Sequence, residues 1–105
     1  EALDRLAEDG AVGDVEALFP HLMNSSQYVG GHTFLYNMVL KTCASAGDVE
    51  RATRWYSEMQ DSDVRLNEKT FGKLIATAAR AGLVDVAERW LEEMSEAGFP
   101  SDVVA

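Results

Sequence analysis

The sequence is poor in the residues that cross-link or interrupt a chain. Its 105 residues include one cysteine, Cys43, and two prolines, Pro20 and Pro100. A single cysteine cannot form a disulfide within the chain, which excludes the small disulfide-stabilised secreted folds and favours a reducing compartment. So little proline, with eight glycines, excludes collagen-like sequences and proline-rich linkers. No apolar run reaches the roughly 20 residues that a membrane-spanning helix needs.

Basic residues are scarce as well. Nine Lys and Arg stand against 18 Asp and Glu, which gives a formal net charge of -9. Because nucleic-acid affinity is built by neutralising phosphates with Lys and Arg, this total argues against indiscriminate binding to nucleic acids. Hydrophobic residues make up 47% of the chain, which is enough to bury a core. The chain starts at Glu1 with no targeting segment, so either such a segment was removed or the chain is part of a longer protein.

The sequence repeats itself with a period of 35 residues. A shift by 35 aligns two tryptophans, two methionines and two Ala-Gly dipeptides, namely Trp55 with Trp90, Met59 with Met94, and Ala46-Gly47 with Ala81-Gly82. An internal period of this length is typical of solenoid architectures. We therefore expect two copies of one structural unit.

Each unit is predicted to be a pair of helices separated by a glycine. Apolar residues recur at helical spacing on both sides of Gly47 and Gly82. The stripes of the first unit are Phe34, Tyr36, Val39, Leu40, Cys43 and then Val49, Ala52, Trp55, Tyr56, Met59; those of the second are Phe71, Leu74, Ile75, Ala78 and then Val84, Ala87, Trp90, Leu91, Met94. Both glycines are predicted to be left-handed residues that end the first helix. Asp48 is predicted to cap the following helix, whereas Leu83 cannot.

The predicted fold is all-α, an α-solenoid of stacked helix-turn-helix hairpins. Residues 33–67 and 68–102 are the two clear repeats, residues 1–32 are a degenerate repeat with a connector, and residues 103–105 begin a further unit. In the degenerate repeat, Gly13 aligns with Gly47, and Pro20 is expected to kink or shorten the second helix. Residues 24–32 are the expected connector. The open end predicts further repeats or a packing partner.

The motifs of each unit resemble those of the pentatricopeptide repeat (PPR) family, whose pattern runs Thr-Tyr-Asn, Ala-Gly, Ala, Glu-Met and then Gly with Pro-Asp. The matching residues are Leu35-Tyr36-Asn37, Ala46-Gly47, Ala52, Glu58-Met59 and Asn67, and then Thr70-Phe71-Gly72, Ala81-Gly82, Ala87, Glu93-Met94, Gly98 and Asp102. The resemblance implies a solenoid whose first helices line a groove for single-stranded RNA, one base per repeat, in a mitochondrion or chloroplast.

The resemblance also implies roles for individual residues. Asn37 with Asn67 would select one base, in a pairing similar to those that favour pyrimidines, and Gly72 with Asp102 would be an irregular second pair. Phe34 matches the apolar position that stacks on a base, whereas its counterpart Lys69 departs from the pattern. A basic residue before the Ala-Gly dipeptide commonly approaches phosphate, and Arg80 fits this position while Ser45 does not.

Charge is divided between the two kinds of predicted helix. The first helices, 34–46 and 69–81, contain four basic residues and no acid: Lys41, Lys69, Lys73 and Arg80. The second helices contain most of the acids. Since salt screens charges beyond roughly 10 Å, the four basic side chains are predicted to contact phosphate despite the acidic total. The alternative is that the acids simply solvate an outward face and the basic groove is not used.

No enzyme, metal or cofactor site is predicted. Residues 61–63 begin like a calcium loop, but Leu66 occupies the glycine position and Gly72 the glutamate position of such a loop. His21 and His32 lack partners at ligand spacing, and a lone cysteine cannot complete a zinc set.

Two functions remain open. The first is a non-enzymatic module that binds single-stranded organellar RNA as part of a longer protein. The second is a protein scaffold, an accessory subunit of an organellar ribosome, polymerase or photosystem without RNA contact.

Overall fold

The fold is built from helices alone in the part of the chain that the structure describes. The computed structural model describes residues 2–24, 31–62 and 64–99. Its six helices are α1 (Ala2–Glu8), α2 (Val12–Asn24), α3 (Gly31–Ala46), α4 (Val49–Asp61), α5 (Glu68–Arg80) and α6 (Val84–Glu96). The predicted all-α class is confirmed.

The helices are arranged in two layers. Consecutive helices pack against each other, and in addition α1 contacts α3 and α3 contacts α5, so these three helices form one layer. Side chains of α4 reach α2 and α6 in the second layer, through the ring contact of Trp55 with Phe19 and that of Tyr56 with Trp90. This stacking of helical hairpins is the predicted solenoid architecture, and it gives α3 and α5 a shared surface.

The turns inside the two repeats have the predicted chemistry. Gly47 and Gly82 adopt positive φ angles of 67° and 76°, a conformation that costs a residue with a Cβ and therefore favours glycine. Asp48 caps α4, since its side chain accepts a hydrogen bond of 3.1 Å from the backbone N–H of Arg51. Leu83 precedes α6 without any side-chain cap.

The degenerate repeat departs from its predicted register. The left-handed glycine before α2 is Gly10, with φ of 70°, whereas Gly13, predicted to match Gly47, lies inside α2. The helix starts early because Val12 and Val15 are both buried on its inner face. A Cβ on Gly10 would lie 3.1 Å from the backbone nitrogen of Ala46, so the glycine also allows this turn to approach the end of α3.

Of the two predicted effects of Pro20, a kink or a shorter helix, the structure contradicts the shorter helix. Although proline removes one helical hydrogen bond, α2 continues through it to Asn24. Phe19 before the proline is buried, and Leu22 and Met23 after it pack on the core. The predicted connector is therefore shorter at both ends, because residue 24 ends α2 and residues 31 and 32 already belong to α3; residues 25–30 lie outside the described part.

Aromatic side chains connect the two layers. Phe19, Tyr36 and Trp55 form one cluster of edge-to-face rings, with centroids 4.7 to 5.7 Å apart, and the indole N–H of Trp55 donates to Glu16 at 2.6 Å. Tyr56 makes edge-to-face ring contacts with Phe71 and Trp90, which form a second cluster. Both tryptophans therefore serve inter-helix packing, as their apolar positions predict.

Two residues of the predicted apolar stripes are exposed instead. Phe34 is 44% exposed and Val84 is 65% exposed. On α3 the neighbouring Leu35, at 2% exposure, is buried in place of Phe34, because the helix presents its 35, 36 and 39 positions to the core. Val84 opens α6, where only the later residues Trp90 and Met94 are buried.

Candidate nucleic-acid interface

A groove runs between α3 and α5, the two helices that the sequence predicts to face a ligand. It encloses about 340 Å³ and is lined by Phe34, Asn37, Met38, Lys41, Lys69 and Lys73. Residues four and seven positions apart share one face of a helix, which brings Phe34, Met38 and Lys41 together on α3. Five of the predicted RNA-contacting residues therefore meet in this groove with Met38: Phe34, Asn37, Lys41, Lys69 and Lys73.

All three lysines of the chain line this one groove. Half-burial of Lys73 lowers its pKa from the usual 10.5, and the nearby positive charges of Lys41 and Lys69 lower the pKa further. Each cause disfavours the protonated form. A phosphate placed among these ammonium groups would relieve their mutual repulsion, so the groove has the electrostatics of an anion site.

Asn37 and Asn67, the predicted base-selecting pair, are hydrogen-bonded to each other. The side-chain Nδ2 of Asn37 donates to Oδ1 of Asn67 at 3.1 Å. The hydroxyl of Thr70 in turn donates to Oδ1 of Asn37 at 2.7 Å. The pairing that the resemblance implied between positions 30 residues apart is thus a direct contact, and Thr70, which the sequence did not single out, completes it.

Asn67 has a second role as the N-cap of α5. Its Oδ1 accepts a hydrogen bond of 3.1 Å from the backbone N–H of Thr70, while its own N–H donates to the Thr70 hydroxyl at 3.2 Å. These reciprocal bonds form a capping box. The side chain that would face a base is therefore held in place by the helix end that it caps.

Of the second predicted base-selecting pair, the structure describes only Gly72. Gly72 lies in α5 with no side chain to offer, and a Cβ built on it would meet nothing within 4 Å. Its partner Asp102 lies outside the described residues. The space beside Gly72 is consequently open at the position where Asn37 has its amide in the preceding repeat.

Arg80 does not line the groove. It ends α5, about two helical turns beyond Lys73, and its stem packs near the turn after α3, since a Cβ built on Gly47 would lie 3.6 Å from Cγ of Arg80. The structure therefore separates Arg80 from the three lysines.

Charge differs between the first and second helices of the two clear repeats, with one correction. Helix α5 begins at Glu68, one residue earlier than predicted, so α3 and α5 hold four basic residues against one acid rather than none. Glu68 stabilises the start of α5, because a carboxylate in the first turn of a helix interacts favourably with the helix dipole. The exposed acids of the other layer include Glu50, Glu58, Asp61, Asp85, Glu88, Glu92 and Glu96.

Possible metal-ligating side chains are not grouped in the part of the chain that the structure describes. Across residues 2–24, 31–62 and 64–99, no three His, Cys, Asp or Glu side chains are grouped so that they could hold a metal ion. Cys43 is fully buried, and this burial, with the nearby Asp48 and Glu16, raises the pKa of its thiol to about 12. A thiol with such a pKa stays protonated and is a poor nucleophile.

No helix in the described part of the chain is both long and apolar enough to cross a membrane.

Stacked helical hairpins with a groove along one layer define a helical-repeat binding module. Two family models match the chain: the PPR repeat family over residues 32–80 and the PPR repeat over residues 69–99. The chain belongs to the pentatricopeptide repeat family, whose members commonly bind RNA and are generally non-enzymatic. No curated protein matches the chain at a significant level.

Proposed function

We propose that this chain binds single-stranded RNA in the groove between α3 and α5. The observation that carries the proposal is the convergence of the Asn37–Asn67 pair with all three lysines of the chain in one groove. Amide groups can form hydrogen bonds with base edges, and lysines neutralise the backbone. Asn37 and Asn67 select the base, and the ring of Phe34 stacks on it.

The phosphates are contacted along α3 and α5. Lys41, Lys69 and Lys73 hold the backbone at the groove, and Arg80 meets a phosphate farther along α5. Gly72 with Asp102 receives the next base, with Gly72 supplying space and no side-chain contact. Because the acids of α4 and α6 lie in the other layer, the RNA follows α3 and α5. The family resemblance supports a location in a mitochondrion or chloroplast and a role as part of a longer binding protein.

The test is binding of the chain to a pool of random single-stranded RNA at several salt concentrations. Three lysine contacts and the contact of Arg80 predict that the logarithm of the binding constant falls with the logarithm of salt concentration with a slope of about -3. Lys73→Glu is expected to weaken binding and make the slope shallower. Arg89→Glu changes the net charge equally but lies on α6, so it is the matched control and should bind like the wild type.

Binding that is independent of salt, or equally sensitive to both charge reversals, would contradict the RNA proposal. The exposed acids of α4 and α6, with exposed Leu83 and Val84 at their edge, favour a protein scaffold as the second candidate. A scaffold is expected to co-purify with protein subunits after nuclease treatment of the organelle. Loss of all partners under nuclease would count against that candidate and favour RNA.

A further inference from the structure

The direction of the hydrogen bonds around Asn67 is set by the backbone. The N–H of Thr70 can only donate, so the atom of the Asn67 side chain that lies 3.1 Å from it must be the oxygen. The same oxygen faces Nδ2 of Asn37 at 3.1 Å. The cap of α5 therefore decides which end of the Asn67 amide points into the repeat interface.

The orientation of Asn37 follows from that of Asn67. With its Nδ2 committed to Asn67, Asn37 turns its Oδ1 toward Thr70, whose hydroxyl is 2.7 Å away. The hydroxyl oxygen already accepts from the N–H of Asn67, which leaves its single proton to donate. Its distance to Oδ1 of Asn67 is longer, 3.1 Å, so Asn37 is the better acceptor.

Two of the three residues are closed off from water. Thr70 is completely buried and Asn37 is 6% exposed. Rotation of the Asn37 amide by 180° would place its Oδ1 against Oδ1 of Asn67, two acceptors with no proton between them. It would also remove the short hydrogen bond that Oδ1 accepts from the Thr70 hydroxyl, and a buried polar group without its partner is costly. Only one orientation of the amide satisfies both neighbours.

We propose that Thr70 is a positioning residue for base selection, which fixes the amide of Asn37 so that the pair offers N–H donors to the base. The inference rests on the proposed function. Within the described residues, nothing accepts a hydrogen bond from Nδ2 of Asn67, and one N–H of Asn37 also stays unused. Pyrimidines present two acceptors on their pairing edge, O2 with N3 of cytosine or O4 of uracil, whereas each purine presents one. The arrangement therefore favours pyrimidines.

The residues that we propose to select the base, Asn37, Asn67 and Thr70, thereby include one residue of the following repeat, Thr70. Thr70 corresponds to Leu35 under the 35-residue shift, and Leu35 is a buried apolar residue. The preceding turn of the solenoid consequently has no hydroxyl at this position. This asymmetry makes Thr70 a feature of one site and gives the test a single target.

The experiment compares Thr70→Val with Thr70→Ser and Thr77→Val in the full chain. Valine keeps the shape and removes the hydroxyl, and serine restores the hydroxyl. Thr77 is equally buried, but its hydroxyl donates to the carbonyl of Lys73, so Thr77→Val controls for loss of a buried hydroxyl in the same helix. Affinities for octamers of uridine, cytidine and adenosine are measured by NMR titration, which detects weak binding, together with solvent exchange of the Asn37 side-chain amide.

The wild type, Thr70→Ser and Thr77→Val are expected to prefer the pyrimidine octamers and to protect the Asn37 amide from exchange. Thr70→Val is expected to lose protection and to reduce the preference by about threefold to tenfold, the effect of one hydrogen bond. An unchanged preference in Thr70→Val overturns the inference. If the wild type binds no octamer, the proposed function fails, and an Asn37 amide that exchanges equally in all variants then overturns the role of Thr70 as well.

Discussion

At the residue scale, the pKa of Lys73 in the groove is lowered by burial and by two neighbouring lysines. Lys73 is half-buried and lies near two other lysines, so its protonated form is disfavoured. In the folded protein this cost is present below its lowered pKa and disappears as the pH rises toward 10.5, where unfolded lysine also loses its proton. The groove thus holds an electrostatic strain that a bound anion would remove.

We therefore predict that RNA raises the pKa of Lys73. A phosphate among the three lysines favours the charged form, so affinity should fall as the pH rises through the lowered pKa of the free protein. The chain has only three lysines, so NMR titration of their side-chain signals with and without a uridine octamer can follow each one. A pKa of Lys73 that is the same in both samples would contradict a phosphate contact there.

The sequence identified Asn37 and Asn67 through the family resemblance but did not indicate Thr70. The two asparagines occupy recognisable positions of the repeat. The contact between Thr70 and Asn37 joins residues 33 positions apart, and its direction depends on the cap of α5. Nothing in the local sequence shows which atom of an amide will face a neighbour, so this part of the site required the structure.

At the element scale, each turn depends on the backbone conformation of one glycine. Gly47 and Gly82 were predicted from their position between two apolar stripes, and both have positive φ. The same signal failed in the first unit, where Gly13-Asp14 imitates Gly47-Asp48 but the turn is at Gly10. The Gly13-Asp14 pair gave the wrong position for the turn, because burial of Val12 on α2 decides where the helix begins.

Two glycine substitutions separate helix propensity from backbone strain. Alanine at Gly72 or at Gly82 would meet no atom within 4 Å. Gly72→Ala lies inside α5 and is expected to raise the free energy of unfolding by about 0.5 to 1 kcal/mol. Gly82→Ala is expected to lower it by about 1 to 2 kcal/mol, because Gly82 has a φ of 76°.

Urea denaturation followed by circular dichroism measures both variants of this glycine pair. Each serves as the control for the other, since the chemical change is identical and both sites have open space. Equal effects of the two substitutions would show that the turn at Gly82 does not require a left-handed residue.

At the scale of the whole molecule, basic residues on α3 and α5 are separated from acids on α4 and α6 in a way that the total of -9 conceals. The period of 35 residues and the helical stripes were enough to predict this arrangement, because both depend only on sequence spacing. The apolar stripe placed Phe34 in the core while the family resemblance placed it against a base, and spacing alone could not decide between them. The exclusion of Arg80 from the groove was not predictable, since it depends on how α3 and α5 pack against each other. On the proposed function, this separation of charge directs the RNA backbone to α3 and α5.

The most direct measurement is a residue-by-residue NMR map of the chain as a uridine octamer is added. Chemical-shift changes are expected along the groove, at Phe34, Asn37 and Lys73, and not at the acids of the other layer such as Glu58 and Glu92. Changes that concentrate on α4 and α6, or the absence of any change at millimolar RNA, would contradict RNA binding between α3 and α5.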